Sequence, residues 1–330
     1  MTKRQIMVGG ALVAFAVAVA AVVLVVARGG ADPAVPAQAA VGDPHAKRTI
    51  SKDVLNAVDK VSLTVPEAEL VAKGRELFRS AVVAKDGESC QSCHTDGAAN
   101  AELGTTPHVR NDPSVNQSFQ GPRDPPVLFN VGRTDPYFWV GDTATLNEVS
   151  IATIENHFKA QFQANKSADA AALTAYMKTI KPPTTDFDRG TMSASALRGE
   201  ALFQGKAACV ACHGGPDFTD NRLHDTLVPQ STVLVGTGGV PNDDPGRQAP
   251  PAGQVCGPNH PVNPAAPLEC AFNTPTLRGN GLARTAPYMH NGAFQTLAQV
   301  VSFYNTSSSV APLLLTVQEQ ADLVEYLKAL

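Results

Sequence analysis

Leu173, Tyr176, Met177 and Ile180 fall at i, i+3, i+4 and i+7, and Leu323, Tyr326, Leu327 and Leu330 repeat that spacing at the end of the chain. One apolar face per turn marks an amphipathic helix laid on a core. Both segments are therefore predicted helices, and their stripes are core residues. Thr316 and Glu319 form a capping-box pattern ahead of the second helix, while Pro182-Pro183 stops the first. The blocks that lead into residues 90 and 209 read as helices too, with Pro66 suited to a first helical turn. Alternation of period two is scarce. The expected fold is mainly α with long loops.

The pattern changes at the start of the chain, where Ile6 to Ala27 is an uncharged, mostly apolar run of 22 residues flanked by Lys3, Arg4 and Arg28. At ~1.5 Å per residue such a helix spans roughly 33 Å, enough for a bilayer core. A cleavable signal peptide carries only about 7–15 apolar residues, so residues 1–30 are read as one N-terminal transmembrane signal-anchor helix. The small-residue stretch AVPAQAA at 34–40 leaves cleavage open. Lys3 and Arg4 keep the N-terminus in the cytoplasm and send the rest outside, which makes the working part periplasmic or otherwise extracytoplasmic. Residues 31–48, rich in Ala and Pro, read as a flexible tether. Beyond residue 31 there are 23 basic and 30 acidic side chains, a formal charge of −7. Nucleic-acid binding requires a basic footprint, so that partner class is excluded.

The remainder repeats itself. GRELF (74–78) recurs as GEALF (199–203), RTDPYFWVGDTATLNEV (133–149) as RTAPYMHNGAFQTLAQV (284–300), and LTAYMKTI (173–180) as LVEYLKAL (323–330). Three blocks in one order mean two copies of one unit, placed at 49–183 and 184–330. Residues 238–270 contain eight prolines and bracket Cys256 and Cys270, and read as a loop inserted in the second copy, a possible rim for a partner or substrate. In an exported protein two cysteines outside any other motif favour a disulfide.

The other four cysteines carry the chemistry. CQSCH (90–94) and CVACH (209–213) are c-type haem attachment signatures. Cys90 and Cys93, and Cys209 and Cys212, would each bind a porphyrin by two thioethers, leaving His94 and His213 as proximal ligands to iron. A zinc ribbon is disfavoured because the Cys pairs stand 116 positions apart. A thioredoxin-like pair would not need the following His that both copies have.

With these motifs, the segments GPRDPPVLFNVGRTDPYFW and TPTLRGNGLARTAPYMHNG give the chain a resemblance, over about residues 65–330, to the bacterial dihaem cytochrome c peroxidase and MauG superfamily. The resemblance implies two cytochrome-c-like domains, an N-terminal haem that reacts with hydrogen peroxide, a six-coordinate C-terminal haem that handles electrons, and a calcium ion between them. In that family the sixth ligand of the C-terminal haem follows the His of the PY-x-H segment by fourteen positions. From His290 this count reaches Tyr304, where classical peroxidases have Met and the MauG branch, which oxidises tryptophans of a partner protein, has Tyr. A phenolate is a hard anion suited to oxidised iron, whereas a thioether raises the potential. An ordinary core tyrosine is the competing reading of Tyr304, and Met289 is read as packing.

The resemblance also makes Trp139, the only tryptophan, the relay between the irons, against simple core packing. It makes Asp124 and the backbone carbonyls of Thr285 and Pro287 the calcium ligands. For proton transfer to peroxide Glu155 is the candidate and His157 the reserve, both beside Thr153, the position that matches Tyr304. A surface helix would look the same. His108 lies on the loop where that family carries a distal His, and an exposed loop His is the competing reading. The implied activity is a dihaem peroxidase fed by a small exported cytochrome c or cupredoxin, or by a side chain of a protein substrate. The alternative is a non-catalytic electron-transfer cytochrome with both irons saturated. The mass of the purified protein should exceed that of its polypeptide by two haems, resistant to acid-acetone extraction. A one-haem mass, or haem that extracts, contradicts the reading of the two motifs.

Overall fold

A computed structural model of the chain describes residues 50–85, 87–94, 123–230, 244, 246–251, 254, 256–278, 285–306, 309 and 312–330. The helices are α1 (Lys52–Thr64), α2 (Glu67–Arg79), α3 (Cys90–Cys93), α4 (Leu146–His157), α5 (Lys166–Lys178), α6 (Asp186–Arg189), α7 (Ala194–Gln204), α8 (Leu297–Thr306) and α9 (Val317–Ala329). Two short strands, β1 (Leu223–His224) and β2 (Phe272–Asn273), pair antiparallel, with Leu223 opposite Asn273. The fold is mostly helical. The anchor expected at 1–30 and the tether at 31–48 lie outside the described residues, and among the described residues no helix is long and apolar enough to cross a membrane.

Two hydrophobic clusters organise the helices. The first joins α1, α2, α4 and α5 through Val58, Leu77, Phe78, Ile151, Ile154, Leu173, Tyr176 and Met177. The second joins α7, α8 and α9 through Phe203, Leu297, Val301, Leu323, Tyr326 and Leu327. The predicted stripes of α5 and α9 are thus core. The two cores share one internal geometry, since Phe78 meets Tyr176 edge-on at 5.3 Å and Phe203 meets Tyr326 edge-on at the same 5.3 Å. These four residues sit in the repeated sequence blocks.

Local signals hold at most helix ends. Thr316 and Glu319 form the reciprocal capping box of α9, and Thr145 and Glu148 form one on α4. Pro66 differs from expectation. Its ψ of 134° is extended, so it precedes α2 as the N-cap rather than entering the first turn. Its carbonyl still accepts from the amides of Glu69 and Leu70, the donors that an N-terminal cap must satisfy.

Cys256 and Cys270 are joined, with Cα atoms 5.4 Å apart. Beneath the bridge, the buried His260 ring meets Asp225 through Nδ1 at 2.8 Å and faces Glu269 across 4.0 Å. The β1–β2 pair closes the foot of this excursion.

The closest helix contacts depend on two glycines in the repeated GRELF and GEALF blocks. A Cβ on Gly74 would stand 2.0 Å from the Ala172 carbonyl oxygen, and one on Gly199 would stand 2.1 Å from that of Asp322. Gly199→Ala should therefore force α7 from α9 and cost about 3 kcal/mol or slightly more, the upper range for an overpacked core. Chemical denaturation of the variant reads this directly. A midpoint equal to the parent's would mean the two helices can separate freely.

Candidate haem centres

At the first centre, Ser89 caps the short α3 by accepting from the Ser92 amide, which fixes the turn carrying Cys90 and Cys93. His94 follows at once, its amide bonded to the Cys90 carbonyl at 2.9 Å. The residue is half-buried, with Nδ1 shut off from solvent near the Pro126 carbonyl. Burial lowers its pKa to about 4, with the Pro126 carbonyl opposing and the charge of His157 adding to the effect. The imidazole is therefore neutral at pH 7 and keeps a lone pair for a metal. Cys90 and His94 line a cleft with Phe138, Trp139, Val149, Thr153, Leu173 and Met177, among others, holding about 1010 Å³ of empty space, its mouth included. An apolar cleft ending in a cysteine and an unprotonated histidine fits a haem.

The second centre is built on a 3-10 turn, Cys209–Ala211, entered through Ala208 in the left-handed region. His213 Nδ1 stands 3.0 Å from the Phe218 carbonyl. With Nδ1–H donated there, Nε2 is left as the free lone pair, the usual way a metal-binding imidazole is oriented. Tyr304, on α8, is close enough to Cys212 and Cys209 to feel their charge, and its hydroxyl bonds Thr226. Burial pushes this phenol up to about 12, with the Thr226 bond opposing. Such a phenol ionises at neutral pH only if a cation takes the proton's place. Met289 stands apart from this arrangement. It takes a left-handed φ of 75°, as Phe138 does at 61° in the matching position of the first copy.

An aromatic junction links the halves. Trp139 donates from Nε1 to the Asp124 carbonyl at 2.6 Å, and its own carbonyl accepts from the Asn273 amide at 2.7 Å. Its ring meets His290 edge-on at 6.3 Å, and His290 stacks on Phe272 at 3.6 Å. Beyond His290, at 4.0 Å, lies Asp244, held by a bidentate bond from Arg123 with both contacts at 2.7 Å. Asp124 donates its amide to the His290 carbonyl at 2.7 Å. Its side chain is buried, with Oδ1 lacking any partner, and burial raises its pKa well above the carboxylate range. A buried carboxylate oxygen without a donor is costly, and a cation bound there would remove that cost. Thr285 and Pro287 are also buried, a few residues before His290.

Glu155 is not brought to this site. Its side chain is on the surface, bonded to Lys166 at 2.7 Å, and no carboxylate lines the cleft among the described residues. His157 is half-buried and near enough to His94 to affect its protonation. His108 lies outside the described residues. Two other clusters have metal-binding composition but are otherwise committed. Cys212 with Asp220 and His224 belongs to the second haem motif, and Cys270 beside Asp225 and His260 is in the disulfide. Sequence reasoning did not single out Asp244, Phe272 or Thr226, and nothing in their spacing signals them.

The sequence model of the family described as di-haem cytochrome c peroxidase matches residues 68–169. Cytochrome-c peroxidase IdrP2 of Pseudomonas sp. (strain SCT) is 30% identical over 308 residues, covering 79% of this chain and 81% of the relative. The methylamine utilization protein MauG of Methylorubrum extorquens is 27% identical over 304 residues, covering 79% and 78%. A crystal structure of a MauG-like protein associated with microbial copper homeostasis has the same fold, with a TM-score of 0.57 at 22% identity over 79% of this chain and 88% of that one.

The junction also has a pH signature. Burial lowers His290 from 6.5 to about 4, with Asp244 opposing and Arg123 adding to the shift. The folded state binds this proton less readily than the unfolded state. The contribution is therefore complete above pH 6.5 and is lost as pH falls through 4, on the order of 3 kcal/mol in all. His290→Gln should flatten the decline of Tm between pH 6.5 and 4. A slope equal to the parent's would show that His290 is not buried as a neutral ring.

Proposed function

The chain belongs to the di-haem cytochrome c peroxidase family, a dihaem c-type oxidoreductase acting on peroxide, and from that premise we propose that its two haems have different duties. The N-terminal one, attached at Cys90 and Cys93 with His94 as ligand, meets hydrogen peroxide. The C-terminal one, attached at Cys209 and Cys212, is held by His213 and Tyr304. Each would occupy its own helical unit, 49–183 and 184–330. Haem supplies the redox-active iron that takes up oxidising equivalents from peroxide. The rest is the work of the chain's own residues.

The Phe218 carbonyl fixes the tautomer and direction of His213. The mostly apolar lining around His94 gives a haem a nonpolar bed. Trp139, pinned by two backbone hydrogen bonds, is the oxidisable ring between the halves and the relay between them. Asp124 would bind calcium through its unpartnered oxygen, together with the carbonyls of Thr285 and Pro287. Proton handling is not assigned to Glu155, because its carboxylate is occupied by Lys166 at the surface.

The protein is read as exported, in keeping with its disulfide and with thioether-bound haem, and as tethered to the inner membrane through residues 6–27. Its reductant is a small exported electron carrier, a cytochrome c or cupredoxin, or an oxidisable side chain of a protein substrate.

The observation that carries the reading is the place of Tyr304, half-buried on α8 beside the Cys209 and Cys212 motif. Addition of peroxide to the resting protein should shift the Soret band of one haem. Tyr304→Phe should open the second haem and move it toward high spin, while Met289→Leu should leave the ferric spectrum unchanged. A Soret band indifferent to peroxide would make the protein a saturated electron-transfer cytochrome. A ferric spectrum altered only by Met289→Leu would move the ligand to sulfur.

A further inference from the structure

The helices that carry the sixth-ligand position in each copy are built alike. Thr145 and Glu148 cap α4, and Thr296 and Gln299 cap α8 by the same reciprocal pattern, with Gln299 Oε1 accepting from the Thr296 amide at 3.0 Å and the Gln299 amide donating to Thr296 Oγ1 at 3.2 Å. Leu146 and Leu297 are the first residues of the two helices. Counted from their caps the helices correspond residue for residue, and Thr153 holds on α4 the position that Tyr304 holds on α8. Tyr304 stands beside the Cys209 and Cys212 motif, and Thr153 lines the cleft shared by Cys90 and His94.

The side chains differ in two ways that matter. Threonine ends at Oγ1, several ångströms short of where a phenol oxygen would stand. Its hydroxyl is also free. The Ser150 hydroxyl is spent on the Leu146 carbonyl and on Thr174, whereas the Thr153 hydroxyl makes no hydrogen bond among the described residues. Helical threonines usually bond back to the preceding turn, as Thr64 and Thr306 do here. The other polar residues of the cleft, Ser150, Asn273, Thr274 and Thr276 among them, bond elsewhere.

We infer that Thr153 is the residue that keeps the sixth position of the N-terminal haem open and hydrogen-bonds the small oxygen ligand, peroxide or water, that enters there. This rests on the dihaem reading above. In this account the difference in duty between the two haems comes down to one aligned position, with a short hydroxyl in one copy and a long phenol in the other.

The test uses the full holoprotein with cyanide as the probe, read from the Soret band and electron paramagnetic resonance, with covalent haem counted by mass in every variant. Wild type should bind cyanide at one haem. Thr153→Tyr should install the second copy's side chain, convert that haem to low spin and weaken cyanide binding at least a hundredfold. Thr153→Val keeps the shape and removes the hydroxyl. It should leave the haem open and high spin, with cyanide affinity lower by about fivefold, the usual effect of one lost hydrogen bond. If Thr153→Tyr loads two haems and both variants bind cyanide as wild type does, Thr153 does not face the iron and the inference is wrong. If Thr153→Tyr fails to load haem, Thr153→Val decides alone, and an unchanged affinity overturns the assignment. Failure of wild type itself to bind cyanide or respond to peroxide would refute the underlying reading instead.

Discussion

A side chain at Gly74 or Gly199 would collide with the backbone of the helix opposite, 2.0 Å from the Ala172 oxygen in one copy and 2.1 Å from the Asp322 oxygen in the other. That approach fixes the distance between the helix leading into each Cys-x-x-Cys-His motif and the helix closing each half. Everything nearer the haem depends on it. Phe78 can meet Tyr176, and Phe203 can meet Tyr326, only at that separation. These aromatic pairs form the base of the two cores beside which the attachment turns lie. A core of this kind is close-packed, so a displacement of one helix is passed on rather than absorbed.

Between the cores the chain uses polar contacts of a different kind. Trp139 is held by backbone groups at both its indole nitrogen and its carbonyl. His290 is wedged between Trp139 and Phe272. The buried Arg123–Asp244 pair stands behind it, and removing either partner would leave a charge buried without compensation. The junction is consequently rigid where the relay is proposed, and it draws residues from the first copy, the second copy and the inserted loop.

Much of this was legible in the sequence because the chain states its plan twice. The paired blocks marked the helices and the attachment motifs, and the two remaining cysteines marked the disulfide. Other features were not legible. Asp244 comes from a Pro-rich loop whose composition says nothing of a partner 121 positions away. Glu155 was placed two residues beyond Thr153, which is about 200° around a helix and so on the opposite face. Val149, Ser150 and Thr153 face the cleft together, and His157, one turn further along the same face, is the residue whose charge reaches His94. Helical periodicity favoured His157 over Glu155. Pro66 caps rather than enters its helix, a shift of one residue that composition alone does not settle.

The central claim is that one haem-holding unit, used twice, is open in its first copy and closed in its second. Quantitative electron paramagnetic resonance of the resting diferric protein, integrated against total haem, tests it most directly. The account predicts two signals of equal weight, one high-spin from an iron without a sixth protein ligand and one low-spin from an iron with two. Two low-spin signals, or two high-spin ones, would contradict it.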